Sequence, residues 1–258
     1  MASFPLVNLW NKRQMIFHFA ILNLKIRFKS TYLGFLWAAL EPLFYFSILY
    51  MVFTGIQQTK DDFSIYLLTG IMLYHIFARG TSGGLASLIM NSGSITSLKI
   101  QKEFFPIVAT VAIGLLAFVD VGVFFGLMPV FEFIPSWTIV FLPLTLGLLL
   151  LLILGLSYIL SIITVYVKDM QIIWTIFVYA LLFVSPIFWY LDDVKGILQS
   201  LQAINPLGQI IELAHQVVVG NQVPALSDWL YTTGFVVAIF FVGYYIFHRY
   251  EDKVTEKL

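Results

Sequence analysis

Six apolar stretches, each long enough to cross a lipid bilayer as a helix, dominate this sequence. The hydrocarbon core of a membrane is about 30 Å thick, and a helix needs about 20 apolar residues to cross it. Because that layer holds no water to bond the backbone amides, segments that cross it must be helices or broken helices. The predicted spans, with approximate ends, are 34–56, 63–88, 105–129, 138–166, 171–190 and 229–248.

The composition of the chain agrees with a membrane environment. Hydrophobic residues make up 60% of the 258 residues and charged residues 11%, whereas a soluble domain carries about 25% charged residues. The net charge of zero gives no general attraction to nucleic acid, and the absence of cysteine excludes disulfides and thiolate metal sites. We therefore predict an all-α integral membrane protein that forms one domain over residues 1–258.

Positive charge is distributed unequally between the two sides of the predicted spans. If both termini are inside, eleven of the 14 lysines and arginines face the cytoplasm. Only Lys60 and Lys195 then lie outside, and Arg79 lies within a span. Because cytoplasmic loops carry the excess of lysine and arginine, we predict a multi-pass protein of the cytoplasmic membrane. Its residues 249–258 are predicted to form a cytoplasmic tail.

Two regions are predicted to be helical without crossing the membrane. Residues 10–30 place polar and apolar side chains on different faces, as expected of a helix lying in the inner membrane interface. This helix is either a plain anchor or a docking element for a partner. Residues 191–228 have a helical pattern that is interrupted at Asn205-Pro206, and each half is too short to cross. We predict two short re-entrant helices there, between spans five and six.

The sequence lacks the motifs of common catalytic and metal sites. It has no G-x-x-x-x-G-K-[ST] loop, so the chain itself is not expected to hydrolyse ATP. It also has no H-E-x-x-H and no acidic metal loop. His75 lies within a span and is expected to be a satisfied polar residue rather than a ligand. We therefore predict a chain that is not an enzyme and binds no cofactor or metal.

Three ionisable residues, Glu41, Arg79 and Asp120, lie inside predicted spans. Each costs about 2.5–3.5 kcal/mol at the helix centre on insertion scales unless it is paired or hydrated. At 1.5 Å per residue, Glu41 lies ~10 Å, Arg79 ~13 Å and Asp120 ~22 Å from the inner end of its span. We therefore expect Glu41 to pair with Arg79, and Asp120 to face a pore or a hydroxyl donor. Pro42 is expected to open the first span beside Glu41.

Small residues at helical spacing predict close contacts between helices. Gly80 and Gly84 lie four residues apart in the second span, and Gly122 and Gly126 repeat this spacing in the third. Either pair could form a contact within the chain or a seam between two copies.

Five short motifs follow one another along the spans and their connections. They are Ser30-x-x-Leu33-Gly34-x-Leu36-Trp37 with Pro42, Lys102-x-x-Phe105-Pro106, Tyr166-x-Lys168-Asp169, Ser185-Pro186-Ile187-x-x-Tyr190 and Asn205-Pro206. Together they resemble the permeases of type-2 ABC exporters, and most closely the polysaccharide exporters that move O-antigen, capsule or teichoic-acid chains. Lys168 stands where the family usually has arginine, which keeps the charge and loses the bidentate fork.

The resemblance implies a half-transporter that exports lipid-linked polysaccharide across the cytoplasmic membrane. Two copies would form one pore, and two copies of a separate ATPase subunit would bind ATP and Mg below it. A coupling segment, about 94–105, would bind in a groove of that ATPase, although a tolerated basic loop is the alternative. The residues expected there are Ile95, Leu98, Lys99, Lys102, Phe104 and Phe105. The external helices would act as a gate formed by Trp189, Tyr190, Asn205 and Pro206.

Aromatic residues make up 17% of the chain and are the candidates for contact with the polymer. A flat ring packs against the C–H face of a sugar without fixing its hydroxyls. Such contacts guide a repeating polymer without stalling its movement. We expect Trp37, Tyr45, Trp174 and Phe177 to line the path, and lipid-facing packing is the alternative for these side chains.

Three other functions compete with this interpretation. The nearest is a type-2 ABC permease for drugs or another lipid, for which a narrow path with few aromatics is expected. An ion-coupled transporter or channel would use the intramembrane charges, work without an ATPase and contain an internal repeat of spans, which the sequence does not show. A membrane-embedded enzyme comes third, because no nucleophile and base are found together.

Overall fold

The computed structural model describes residues 12–29, 31–54, 62–97, 101–191, 195–254 and 257, and the side chains of 96 and 97 are outside this description. All regular secondary structure in these residues is helical, which confirms the predicted class. The helices are α1 (Arg13–Phe28), α2 (Trp37–Thr54), α3 (Phe63–Met90), α4 (Ser92–Ser97), α5 (Phe104–Leu127), α6 (Leu142–Tyr166), α7 (Met170–Val184), α8 (Ile197–Ala203), α9 (Pro206–Val218) and α10 (Leu226–Val254). Short 3₁₀ turns cover Gly34–Leu36, Met128–Phe131 and Trp137–Phe141.

Five helical segments in the described part of the chain are long and apolar enough to cross a membrane. They are Gly34–Thr54, Phe63–Met90, Phe104–Phe131, Trp137–Tyr166 and Leu226–Val254.

The fifth predicted span, 171–190, corresponds to the shorter helix α7, which has 15 residues. It is about 22 Å long at 1.5 Å per residue, and it ends because the residue before Pro186 is pushed out of the helical region. Ser185 is extended accordingly, with φ −81° and ψ 149°. The count of six spans therefore stays a prediction.

Helix α3 forms the centre of the bundle and is buried on nearly every side. It contacts α2, α5, α6, α7 and α9. Its threonine hydroxyls donate back to carbonyls of the same helix, Thr69 to Ile65 at 2.7 Å and Thr81 to Phe77 at 2.9 Å. These bonds let a polar side chain sit in the core without leaving a donor unpaired.

Glycine allows α3 to approach α6 closely. A Cβ at Gly84 would overlap the Ser157 hydroxyl, and one at Gly80 would lie 2.8 Å from the Ile153 side chain. The Gly80 and Gly84 pair is therefore a contact within the chain. A Cβ at Gly122 or Gly126 would meet no described heavy atom within 4 Å, so that face of α5 is open.

Helix α2 lies at the side of the bundle and runs without interruption through Pro42. The expectation that Pro42 opens the first span was wrong. Proline lacks an N–H, so one helical hydrogen bond is missing there, but the helix continues on both sides of the ring. The turn into α2 contains Gly34 with φ +53°, a backbone conformation that glycine adopts readily. Ser30 of the same motif lies outside the described residues.

Helix α1 confirms a helix within the predicted 10–30 segment, of which residues 10, 11 and 30 are not described. It packs on the start of α5, where the Phe19 and Phe104 rings meet edge to face at 5.3 Å. Ile16 and Ala20 are buried, whereas Leu22 and Ile26 are exposed. The location of this helix at a membrane interface stays a prediction.

The apolar core divides into two clusters. The larger one joins α2, α3, α5, α6, α7, α9 and α10. The second, called here the inner apolar cluster, joins the ends of six helices that are predicted to face the cytoplasm. It contains Ile16, Ala20, Leu88, Ile95, Phe104, Phe105, Val108, Ala112, Tyr158, Ile162, Val165, Phe247 and Val254.

The region 191–228 contains two short helices, α8 and α9, separated at Asn205-Pro206 as the sequence predicted. Their placement in a membrane stays a prediction. Helix α10 extends past the predicted sixth span at both ends and continues into the predicted tail as far as Val254.

Candidate functional site

Helices α2 and α7 share an exposed aromatic face. Tyr45 on α2 and Tyr179 on α7 lie close enough for their hydroxyl groups to interact electrostatically. Beyond the end of α7, the Phe188 ring stacks on the Phe53 ring of α2 at 4.6 Å. Tyr45 and Tyr179 remain 38% and 54% exposed, so the described chain leaves both rings accessible.

Helix α7 is attached to the bundle by one narrow stripe. Trp174, Val178 and Leu182, spaced four residues apart, are its buried side chains. Helix α7 carries no charged side chain and only three polar ones, so the pattern of the sequence gave little indication of which stripe is buried. For the same reason, sequence reasoning did not identify Tyr179.

The structure divides the four predicted path residues. Trp37, Tyr45 and Phe177 are 40%, 38% and 50% exposed, whereas Trp174 is only 7% exposed. The indole N–H of Trp174 donates to the Thr81 hydroxyl on α3 at 3.0 Å. A buried indole that is held in this way anchors α7 to the core, which corrects the expectation that Trp174 offers its face to a polymer.

Arg79 lies between two carboxylates inside the bundle. It donates from Nη2 to Asp120 Oδ2, and its Nη1 lies 3.8 Å from Glu41 Oε2. The expected pair of Glu41 and Arg79 is therefore present. The expectation for Asp120 was wrong, because its carboxylate binds the same guanidinium. Counting residues along a helix gives only the depth of each residue in the membrane. The arginine side chain is long and has five donors, so it can reach acids that lie at different depths.

The two acids of this cluster differ in exposure. The side chain of Asp120 is 1% exposed and that of Glu41 40% exposed. The charge of Arg79 is thus neutralised mainly by Asp120, which leaves much of the Glu41 carboxylate accessible near the start of α2.

His75 lies one turn before Arg79 on α3 and meets the edge of Tyr45 at 4.5 Å between ring centroids. Among the described residues, neither of its ring nitrogens has a hydrogen-bond partner, and the side chain is buried. The expectation of a satisfied histidine therefore stays a prediction.

At the opposite end of the bundle, two of the sequence motifs bind each other. Asn205 donates from its side-chain amide to the Ser185 hydroxyl at 2.9 Å. Its side-chain oxygen accepts from the Leu207 amide at 3.1 Å and so caps α9, with Pro206 at the first helical position. The break between α8 and α9 is thereby fixed to the residues that end α7.

The predicted gate residues Trp189 and Tyr190 pack on the start of α3. The Trp189 indole donates to the Phe183 carbonyl at 3.0 Å, and its own carbonyl accepts from the Tyr66 hydroxyl at 2.8 Å. The ring of Tyr190 lies 4.2 Å from that of Tyr66. These side chains tie α7 to α3, and whether they gate a pore stays a prediction.

Tyr66 and His215 also contribute to this region, and sequence reasoning missed their roles. The His215 ring stacks on Tyr66 at 3.6 Å and donates from Nε2 to the Tyr66 carbonyl at 2.9 Å. An isolated histidine and tyrosine 149 positions apart give no sequence pattern.

Three of the predicted coupling residues face the interior of the chain. Ile95, Phe104 and Phe105 are buried in the inner apolar cluster, which corrects the expectation that these side chains bind a partner. Lys102 is half-buried and donates to the backbone carbonyl of Glu251. Leu98 and Lys99 lie outside the described residues.

Comparisons with known proteins agree with these features. The family model described as "ABC-2 type transporter" matches residues 19–219. An O-antigen export system permease protein RfbA of Klebsiella pneumoniae is 24% identical over 92% of this chain and 92% of its own length. The protein of that name from Myxococcus xanthus is 21% identical over 97% of both chains. A polysialic acid transport protein KpsM of Escherichia coli is 26% identical over 90% of this chain and 92% of its own.

Proposed function

The chain belongs to the ABC-2 type transporter family, and we propose that it is the membrane subunit of an ATP-driven exporter of lipid-linked polysaccharide. The names of its relatives refer to O-antigen export and polysialic acid transport, and both substances are carbohydrate polymers. The proposed location of the protein is the cytoplasmic membrane, with both termini on the cytoplasmic side.

The exposed aromatic face of α2 and α7 is the observation that carries this proposal. Trp37, Tyr45, Phe177 and Tyr179 offer rings that a sugar can slide along. Tyr45 and Tyr179 lie close to each other, which brings two of these rings together. An aromatic surface with few fixed polar contacts suits a long polymer better than it suits a small drug.

We further propose that two copies of the chain oppose their α2 and α7 faces across the path. Helix α7 buries only one stripe, and α2 buries only Ala38, Pro42 and Phe46. Helices held so lightly can separate at lower cost than the buried helix α3. A separate ATPase subunit, which binds ATP and Mg, would drive this separation by pushing on the segment that joins α3 to α5.

Deleting the gene in its native cell tests the function directly. We expect surface polysaccharide to be lost and lipid-linked polymer to accumulate inside, and the wild-type gene to restore both. The double variant Tyr45→Ala/Phe177→Ala should fail to restore export at equal protein level. A matched control is Tyr245→Ala/Phe241→Ala, which removes a tyrosine and a phenylalanine that are exposed on α10.

Two results would overturn the proposal. Unchanged surface polysaccharide after deletion would exclude polymer export, and normal export by the α2–α7 variant would remove the aromatic path. Gradient-driven flux through the purified chain in nanodiscs, without an ATPase, would favour the ion-coupled alternative.

A further inference from the structure

A polar bridge joins the start of α5 to the end of α10. His248 on α10 places Nε2 3.2 Å from Glu103 Oε2 and Nδ1 2.8 Å from Glu251 Oε1. Glu103 immediately precedes α5 and is 2% exposed, so its carboxylate points into the protein rather than into solvent. The imidazole of one histidine thus connects the end of the predicted coupling segment to the last helix.

Backbone and side-chain contacts strengthen this connection on both sides. Lys102 donates to the carbonyl of Glu251, and Gln101 accepts from the Lys12 ammonium at 2.9 Å. Three consecutive residues, 101–103, therefore bind residues of α10 or the residue that precedes α1. Residues that serve only as a loop between two spans would not need partners from both ends of the chain.

The inner apolar cluster lies directly beside the polar bridge. Phe104 and Phe105 pack there with Phe247 and Val254 of α10, and all four side chains are buried. The start of α5 and the end of α10 thus share an apolar core and a charged bridge. Relative movement of the two elements would expose that core and separate the bridge, which is costly.

We propose that Glu103 and His248 lock the ATPase-facing segment to α10, so that the last helix moves with this segment as one body. The proposal rests on the proposed function, since it requires a partner that pushes on the segment. It assigns α10 a role in transmitting force. Helices α2 and α7, by comparison, line the proposed path. Glu103 and His248 are positioning residues in this account, because neither contacts substrate.

The two contacts of His248 differ in kind. Its Nδ1 is hydrogen-bonded to Glu251 Oε1 on the same helix. Its Nε2 faces Glu103 Oε2 at an ion-pair distance of 3.2 Å, and these two atoms do not meet hydrogen-bond geometry. The link between α10 and the start of α5 is therefore an electrostatic contact of a buried carboxylate with the imidazole.

A double-mutant cycle tests the bridge without reference to transport. We expect His248→Ala and Glu103→Ala each to lower the unfolding temperature of the purified protein, and the double variant to lose clearly less than the sum. Strict additivity would show that the two residues do not interact, and it would overturn the proposal whatever the protein transports.

The absence of cysteine from the chain allows a sharper test of the lock. In the double variant Glu103→Cys/His248→Cys, the bridge is lost, and a bifunctional methanethiosulfonate can replace it by a covalent link that dithiothreitol removes. The purified variant is treated before the ATPase is added. ATP consumed per polymer exported is then measured in proteoliposomes, with each single cysteine variant treated identically as a control.

The proposal predicts how the ATP consumed per polymer changes between the unlinked, linked and reduced forms of the double variant. The unlinked double variant should consume several-fold more ATP per polymer than the wild type, the linked protein should return to the wild-type ratio, and dithiothreitol should reverse this rescue. A residue needed only for stability would change the amount of folded protein and leave the ratio unchanged. His248→Lys restores a cation beside Glu103. We therefore expect it to keep the ATP consumed per polymer closer to the wild-type ratio than His248→Ala does.

Three outcomes would overturn the lock. An unchanged ratio in the unlinked variant would show that the bridge does not transmit force, and blocked export after linking would show that the two elements must separate. No rescue by the link would show that holding them together is not sufficient. If the wild-type chain neither binds an ATPase nor exports polymer, the proposed function fails instead, and the double-mutant cycle still reports on the bridge.

Discussion

Arg79 on α3 donates a hydrogen bond to the buried carboxylate of Asp120 on α5, while the half-exposed Glu41 on α2 lies 3.8 Å from the same guanidinium. The two acids are therefore unequal partners of one cation. Asp120 joins two helices of the bundle core, and Glu41 adds the lightly packed helix α2. Structural stability should depend on the first contact far more than on the second.

The Asp120→Ala substitution should destabilise the protein strongly, by about 3–5 kcal/mol, because it leaves Arg79 buried with too little opposite charge. Glu41→Ala should cost about 1 kcal/mol or less, since an exposed partner contributes little. Chemical unfolding in detergent micelles measures both. Equal losses from the two variants would contradict the assignment of Asp120 as the main partner.

The sequence was most informative where one physical constraint acts on a whole segment. The thickness of the bilayer and the need to hydrogen-bond every backbone amide inside it predicted the long helices. The Asn205-Pro206 pair predicted the break between α8 and α9. The position of the Glu41 and Arg79 pair also followed from counting residues along helices.

Whether a side chain faces the protein core, lipid or a partner could not be predicted in the same way. Trp174 and Phe177 are both aromatic residues of an apolar helix, yet one is buried and the other exposed. Phe104 and Phe105 were expected to face a partner and instead face the chain. In a segment that is apolar all round, hydrophobicity does not distinguish lipid, protein core and partner, so periodicity carries no facing information.

The Gly84→Ala substitution should destabilise the contact between α3 and α6 by about 1–3 kcal/mol, the usual cost of overpacking. The added methyl group would overlap the Ser157 hydroxyl. Gly83→Ala is the matched control, because a Cβ at Gly83 would meet no described atom within 4 Å. Thermal unfolding of the two variants should separate them, and similar curves would argue against the close helix contact.

The Asn205→Ala substitution should loosen the region where α7 ends and α9 begins. Losing the helix cap costs about 0.5–2 kcal/mol, and the bond to Ser185 is lost as well. Ser185→Ala removes only the second bond and should have the smaller effect. Hydrogen exchange of the amides at the start of α9 measures the change. Faster exchange in Ser185→Ala than in Asn205→Ala would contradict this order.

The Glu103→Gln substitution should change how stability depends on pH. Burial of the Glu103 carboxyl raises its pKa and Glu251 adds to this, although His248 and Lys12 act in the opposite direction. A carboxyl whose pKa rises on folding contributes stability below its unfolded pKa, and this contribution is lost as pH rises through the folded pKa.

Glutamine cannot ionise, so Glu103→Gln should gain stability relative to the wild type as pH rises from acidic to neutral. The gain is at most about 1.4 kcal/mol per pH unit for one proton. Unfolding of both proteins across this pH range gives the difference directly. A difference that shrinks as pH rises would mean that the ion pair with His248 outweighs the burial of Glu103.

The Trp174→Phe and Phe177→Ala substitutions should affect different properties, although the residues lie one turn apart on α7. Trp174→Phe removes the donor to Thr81 and leaves a void in the core, so we expect about 1–3 kcal/mol of lost stability. Phe177→Ala removes a half-exposed ring and should leave stability nearly unchanged, yet it should reduce polymer export. Unfolding of the purified variants and export in the complemented deletion cell measure the two properties separately. Reduced export in Trp174→Phe at full stability would instead place the indole on the polymer path.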